Sequence, residues 1–272
     1  MSMTWRGAPE TEFAPISVRG WVRVIRRGVP VLCILGLGVL ATLLLRLPER
    51  LLCGPKRPVT PFLTQWVCRS AIWLLGFRYT VRGCIMRSPG AVVANHVSWL
   101  DIFALNAAKR VYFVAKSEVA AWAGIGFLAQ LTGTLFIKRD PRHAQQQTDD
   151  MVQRFQMGHK LLFFPEGTST DGLRVLPFKP VLFEAFFKTG QTGLAIQPVA
   201  LQFIAPRSAP AGFYGWWGDM GFGDHLLHVL SAPRQGEIVV HYLPPLRLAD
   251  FSGRKAIAAA AQTAIQQVID PD

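Results

Sequence analysis

From Phe77 onward the chain alternates short β-rich runs with stretches of helical period. Seven runs are dense in apolar, β-branched and aromatic residues: "RYTVRG", "AVVAN", "VYFVA", "TLFIK", "LLFFP", "AIQPVALQF" and "EIVVHYL". These predict strands. Between them, residues Trp99–Ala107, Glu118–Leu131, His143–Gln156, Pro180–Lys188 and Arg254–Val268 carry helix-like patterning. Strands alternating with helices predict an α/β domain whose central sheet has covered faces. No internal repeat occurs. The Gly/Trp-rich stretch "AGFYGWWGDMGFGDH", Ala211 to His225, breaks the pattern. It reads as a loop or lid, or as an edge facing a membrane.

The front third has a different pattern. Val29 to Leu45 is a run of 17 residues without a charge. At ~1.5 Å per residue a helix of that length reaches about 25 Å, against a bilayer hydrocarbon core of about 30 Å. Arg19, Arg23, Arg26 and Arg27 precede the run, and Arg46 and Arg50 follow it. Such arginines can snorkel to lipid headgroups. No A-x-A site follows the run, which argues against a cleaved leader. A second apolar segment, Val59 to Phe77, repeats Phe62, Leu63, Trp66, Val67, Ile72, Trp73 and Leu74 at helical spacing. It reads either as an amphipathic helix lying in a membrane interface or as a core helix of the globular domain. The division expected is therefore a disordered N-terminus over 1–20, membrane-anchoring helices over 21–76, and a globular domain over 77–272.

Charge sharpens this division. The chain has a formal net charge of +12. Residues 1–90 hold 13 Lys/Arg against three Asp/Glu, whereas residues 91–272 hold 16 against 14. A nucleic-acid binder would spread its cations over a folded surface. Here they flank an apolar helix, which favours attraction to an anionic membrane and argues against nucleic acid as a partner. The four cysteines, Cys33, Cys53, Cys68 and Cys84, form no C-x-x-C pair and have no histidine at metal-ligand spacing, so they read as reduced apolar fillers.

Three stretches carry candidate chemistry. In "NHVSWLD", His96 ends an apolar strand and Asp101 follows five residues later, inside the first turns of a helix. A carboxylate on one imidazole nitrogen fixes the tautomer and leaves the other nitrogen free to take a proton near neutral pH. The bland reading is a structural histidine with a capping aspartate. In "FFPEGTSTDG", Gly167 permits a tight turn beside Glu166, and Thr168, Ser169 and Thr170 add hydroxyls. This is a ligand-binding loop or a plain turn. In "GTLFIKRD", a strand delivers Lys138 and Arg139 together, suited to an anionic group or to a solvated edge. Of the weaker signals, His225 and His228 are spaced i, i+3 and fit a helix face better than a metal site. Asp219 reads as a loop charge or as part of a substrate channel.

Together these stretches resemble the lysophospholipid acyltransferase family, best known from the 1-acylglycerol-3-phosphate acyltransferases. The family's His-x4-Asp motif is similar to His96 and Asp101. Its Gly-x-x-Phe-Ile-x-Arg motif is similar to Gly133, Phe136, Ile137 and Arg139. Its Phe-Pro-Glu-Gly-Thr-Arg-Ser motif is similar to Phe164 through Thr168, and its strand around a proline is similar to "IQPVAL" with Pro198. Order and spacing are kept from about Tyr79 to Leu201. One departure stands out: Ser169 occupies the position of the family's arginine, which is thought to help hold the acceptor phosphate. The variant "EGTSTDG" resembles a bacterial subgroup that acylates either lysophosphatidate or lyso-ornithine lipid.

The resemblance implies a mixed α/β sheet of about seven strands covered by helices, with an N-terminal membrane-associated helical segment resting in one leaflet. It implies a membrane-associated O-acyltransferase with His96 and Asp101 as the catalytic pair. It also implies that Lys116, Lys138, Arg139, Glu166, Gly167 and Thr168 lie at the substrates, Lys116 being equally readable as an exposed charge. The acceptor expected first is 1-acyl-sn-glycerol-3-phosphate, giving phosphatidic acid. Lyso-ornithine lipid is the alternative, and a non-catalytic lipid-binding membrane protein the rival from another class. The acyl donor would be acyl-CoA or acyl carrier protein as co-substrate, with no cofactor and no metal. The expected location is the bacterial inner membrane, with the globular domain on the cytoplasmic side.

Overall fold

The computed structural model describes residues 4–10, 13–138, 142, 144–188 and 193–270. The apolar front of the chain folds into two helices, α1 (Val18–Cys53) and α2 (Thr60–Leu75). The 36 residues of α1 make a rod of about 54 Å, so the helix runs well beyond the uncharged stretch at both ends. Its start lies inside the segment for which composition predicts no order. The Ser17 side chain accepts from Gly20 N–H at 3.2 Å and supplies the N-terminal cap. Gly54, at φ +61°, ends the helix.

Two of the flanking arginines do something other than reach for headgroups. Arg27 is buried and donates to the carbonyls of Leu230 and Ala232, at 2.8 and 2.6 Å. Arg23 donates to Ser231 O at 2.6 Å. These carbonyls end α7 (Phe222–Ser231), so the guanidiniums sit at the negative end of a helix dipole. At the other end of α1, buried Glu49 accepts from Val59 N–H, Thr60 N–H and the Thr60 hydroxyl, and so caps α2 from outside. Between these ties the two helices touch closely. A Cβ at Gly38 would lie 2.6 Å from a Val67 methyl, so only glycine permits this approach.

Both sequence readings of α2 describe part of it. Val67, Cys68, Ala71, Ile72 and Leu75 are buried, while Phe62, Trp66 and Trp73 are exposed. Arg69, which interrupts the apolar run, donates to Ala107 O at 2.8 Å, at the C-terminal end of α3 (Leu100–Ala108). The outer side of α1 is apolar and uncovered from Val18 through Leu52. By length and composition α1 is a helix that could cross a bilayer, and only 11% of its most apolar window is buried. A helix of a soluble core would show the reverse.

The rest is a mixed sheet under helices, among them the short α4 (Ile125–Thr132). The strands are β1 (Arg78–Gly83), β2 (Gly90–Ala94), β3 (Tyr112–Lys116), β4 (Leu135–Ile137), β5 (Leu161–Phe163), β6 (Ala195–Ile204), β7 (Glu237–Tyr242) and β8 (Leu246–Arg247). Their order is β1-β7-β6-β2-β5-β3-β4, with β8 also paired to β6. β6, β2, β5, β3 and β4 run parallel, and β6 meets β7 and β8 antiparallel. All seven predicted strands are present. β8 is two residues long and offers no period to detect.

Alternation along the strands splits the core. Val92, Ala94, Leu162, Leu201 and Val240 face Ile72, Leu75 and Leu105 from α2 and α3. Ala91, Val93, Leu161, Phe163 and Ile196 face α5 (Ala144–Gln156), α6 (Glu184–Lys188) and α8 (Arg254–Ile269) through Phe155, Phe186 and Ile257. Pro198 is tolerated inside β6 because β8 pairs with residues 195–196 and β7 with residues 199–204. The proline's missing N–H falls in the gap, while its carbonyl accepts from Leu243 N–H at 3.0 Å.

Candidate active site

Parallel pairing of β2, β5, β3 and β4 brings three of the sequence motifs, together with Lys116, to one edge of the sheet. Ligand sites of open α/β sheets gather outside the carboxyl ends of the strands. His96 follows β2, Glu166 follows β5, Lys116 ends β3 and Lys138 follows β4. The turn out of β2 is built by Asn95. Its amide donates to Leu201 O at 3.0 Å and accepts from Leu201 N–H at 2.8 Å, so a buried side chain continues the ladder to β6 for one more step. The main chain is then free to swing away, and the next residue, His96, leaves the sheet.

Two contacts hold the imidazole and a third holds the residue's backbone. Nδ1 lies 2.6 Å from Asp101 Oδ2. Phe164 stacks on the ring with centroids 4.1 Å apart and planes 11° apart. The backbone N–H of His96 donates to Glu166 Oε1 at 2.8 Å. No hydrogen bond from a described residue reaches Nε2, and the side chain keeps 25% of its surface. Asp101, in the first turn of α3, is fully buried. It also accepts from Val97 N–H at 2.8 Å and Ser98 N–H at 3.2 Å. Burial pushes its carboxyl up, and the His96 ring with the two N–H groups opposes that shift. An acid so fixed orients one nitrogen of the ring and stabilises it when protonated.

Glu166 is 2% exposed. Its second oxygen accepts from Leu176 N–H at 2.9 Å, so the carboxyl ties the turn at His96 to the segment after the third motif. That places it behind the histidine, where it sets the position of the backbone. Burial pushes its carboxyl up to about 8. Gly167, at φ +74°, makes the turn that the sequence predicts. Thr168 is half-buried, and its Oγ1 accepts from Trp5 N–H at 3.2 Å. The Ser169 hydroxyl donates to Trp216 O. Lys116 is half-buried, Lys138 is exposed, and Arg139 lies outside the described residues.

The irregular Ala211–His225 stretch closes over the same edge. Trp216 N–H donates to Val97 O at 2.9 Å. An aromatic group of Trp99, Trp122, Trp216 and Phe222 packs edge to face there. His225 is buried on α7 and accepts from Trp99 Nε1 at 2.9 Å; burial lowers its pKa to about 4. His228 packs on Phe213, with centroids 4.4 Å apart. The histidine pair thus belongs to a packed helix face. Among the described residues no group of three His, Cys, Asp or Glu side chains could hold a metal ion.

Asn95 and the N-terminal segment were not foreseen as parts of the site. Asn95 stood beside a histidine at a strand end, which was the available signal. Residues 4–10 offered none, because their contacts are with residues more than 160 positions away.

An imidazole with Nδ1 on a buried acid and no described partner at Nε2 is a group that can take up a proton at Nε2. The acyltransferase family model matches residues 66–202. A lyso-ornithine lipid O-acyltransferase of Rhodobacter capsulatus is 50% identical over 263 residues, 96% of this chain and 95% of that protein. A 1-acyl-sn-glycerol-3-phosphate acyltransferase of Neisseria gonorrhoeae is 32% identical over 182 residues, 66% of this chain and 69% of that protein. The crystal structure of the 1-acyl-sn-glycerophosphate acyltransferase from Thermotoga maritima superposes with a TM-score of 0.60 at 18% identity, covering 91% of this chain and 96% of that one. It shares the fold. The chain belongs to the acyltransferase family.

Proposed function

We propose that this acyltransferase moves a fatty acyl chain from a thioester to the free hydroxyl of a lysolipid, and that the lysolipid is lyso-ornithine lipid. The single observation that carries the chemistry is the His96 Nδ1–Asp101 contact of 2.6 Å with Nε2 left open. His96 takes the proton of the acceptor hydroxyl at Nε2. The oxygen attacks the thioester carbonyl, the C–S bond breaks, and the thiolate leaves with the proton returned through His96. Asp101 holds the other ring nitrogen and stabilises the imidazolium. The acceptor hydroxyl is the nucleophile, so no acyl-enzyme is required. Buried Ser98, whose Oγ accepts from Leu100 N–H, has no part in the transfer.

Two observations support lyso-ornithine lipid over lysophosphatidate. The resemblance to the Rhodobacter enzyme runs nearly end to end, whereas that to the Neisseria enzyme covers two thirds of the chain. Ser169, standing where a phosphate-binding arginine is expected, turns its hydroxyl to a backbone carbonyl. The uncovered apolar side of α1, with Trp66 and Trp73 on α2, supports a hairpin resting in one leaflet of the bacterial inner membrane, the sheet on the cytoplasmic side. Acyl-CoA or acyl carrier protein delivers the thioester there.

The test is a direct assay. Purified protein in lipid vesicles is given labelled acyl-CoA or acyl carrier protein, with lyso-ornithine lipid and lysophosphatidate side by side, and products are identified by mass. Ornithine lipid should dominate. Phosphatidic acid as the main product would reverse the acceptor assignment, and no acylated product from either lipid would remove the function.

A further inference from the structure

The structure assigns recognition of the acceptor headgroup to an ion pair outside the four motifs, Arg6 with Asp219, which reads a zwitterion carrying one carboxylate and one ammonium. This rests on the proposed acceptor and adds the residues that select it.

Residues 4–10 run as a strap over the third-motif loop. Trp5 N–H donates to Thr168 Oγ1 at 3.2 Å. The Trp5 ring meets Trp217 edge-on, with centroids 6.0 Å apart. Trp217 Nε1 donates to Ala8 O at 3.3 Å, and Asp219 N–H donates to Glu10 Oε1 at 2.7 Å. Arg6 reaches both oxygens of Asp219, at 2.9 and 2.7 Å. The loop that carries Asp219 is itself tied to the residue after His96 through Trp216 and Val97. The pair therefore stands on a layer fastened to both the histidine turn and the motif loop.

The charges on this layer select against a phosphomonoester. Among the described residues joined to the strap, the cations are Arg6 and Arg174, which lies over the Trp5 ring, and the anions are Asp219, Asp171 and Glu10, with Arg174 bonded to both oxygens of Asp171. A dianionic headgroup would meet three carboxylates and two guanidiniums, both already paired. An amino-acid headgroup meets complementary charge at each end, its ammonium on Asp219 and its carboxylate on Arg6. The exchange is inexpensive because Arg6 and Asp219 are 67% and 69% exposed, and an exposed ion pair is worth little in water. One weak pair opens and two charge-assisted contacts form in its place.

The experiment crosses residue with ligand. Full-length wild type, Asp219→Asn and Arg6→Gln are assayed in vesicles with lyso-ornithine lipid, its side-chain N-acetyl analogue and its carboxyl methyl ester. Asp219→Asn should raise the KM for lyso-ornithine lipid by about two- to fivefold, the loss expected for one exposed charge contact. It should not separate from wild type on the N-acetyl analogue, which has no ammonium. Arg6→Gln should show the same pattern against the methyl ester. Equal losses on all three lipids, falling on kcat, would mean that the pair only fastens the strap, and would overturn the assignment. Unchanged KM values would overturn it as well. Wild type inactive on lyso-ornithine lipid but active on lysophosphatidate would instead remove the proposed acceptor, and the subsite with it.

Discussion

Leu44 on α1 and Leu162 on β5 are the same residue in opposite surroundings. Leu44 is 68% exposed and Leu162 1%. Along α1 the leucines face outward, while the polar Arg27, Thr42 and Glu49 turn inward. Arg27 and Glu49 are buried and hydrogen-bonded at its two ends, while leucines line the free side. The sheet does the reverse, and the polar groups it buries around His96 are paired, as Asn95, Asp101 and Glu166 are. Leucine in this chain therefore packs in the protein core at some positions and is left uncovered on the outer side of α1 at others. A buried polar residue marks either a joint between elements or the setting of His96.

The comparison can be broken most sharply at the histidine. His96→Ala should lower acyl transfer by about 10²–10⁴-fold, the usual contribution of a positioned base, with vesicle co-sedimentation unchanged. Retained turnover would dissociate the sheet edge from the chemistry. Next in size is the paired leucine experiment. Leu162→Ala should destabilise the fold by about 2–5 kcal/mol in denaturant unfolding, since it leaves a cavity under the sheet.

Glu166→Gln should cost about 1–3 kcal/mol, because an amide cannot accept from both His96 N–H and Leu176 N–H in their present places. The wild-type carboxyl also titrates. Burial raises it from 4.5 to about 8, so between those values the folded state binds a proton that the unfolded chain has released. Stability from this group therefore falls as pH rises through that window. The advantage of wild type over E166Q, followed by urea unfolding, should shrink from pH 5 to pH 8. An advantage that grows with pH would show the carboxylate to be ionised in the fold.

The smallest effect belongs to the hairpin. Leu44→Ala should move unfolding stability by less than about 0.5 kcal/mol, as an exposed site does. It should weaken vesicle binding by about 1–2 kcal/mol through lost apolar contact with lipid. A large loss of fold stability instead would mean that this side of α1 is covered by protein.

Much of the architecture was legible because the periods are local. β1, β6 and β7 stand out as β-rich runs, and all of the predicted strands recur within a residue or two of their expected ends. Locating a strand needs only the residues of that strand. Helix ends were less legible. α1 outruns its uncharged stretch because Arg23 and Arg27 find partners on α7, some 200 positions away, and α7 itself lies where glycines and tryptophans blur the helical period. The site divides in the same way. His96 and Asp101, five positions apart, could be paired from spacing. Glu166 read as a substrate contact because its partners, His96 N–H and Leu176 N–H, are backbone groups that no residue type announces.

By itself, then, the amino-acid order determined the alternation of strand and helix, the apolar, arginine-flanked run of the front third, and the nearness of an imidazole to an acid. Each depends on side chains a few positions apart. Only the tertiary structure decided that four loops end at one edge of the sheet, that Nε2 stays open while Nδ1 is taken, and that a strap near the chain's start lies over a loop beyond position 160. Those are contacts across the whole chain, made when closing large loops is offset by burial of the core the loops enclose.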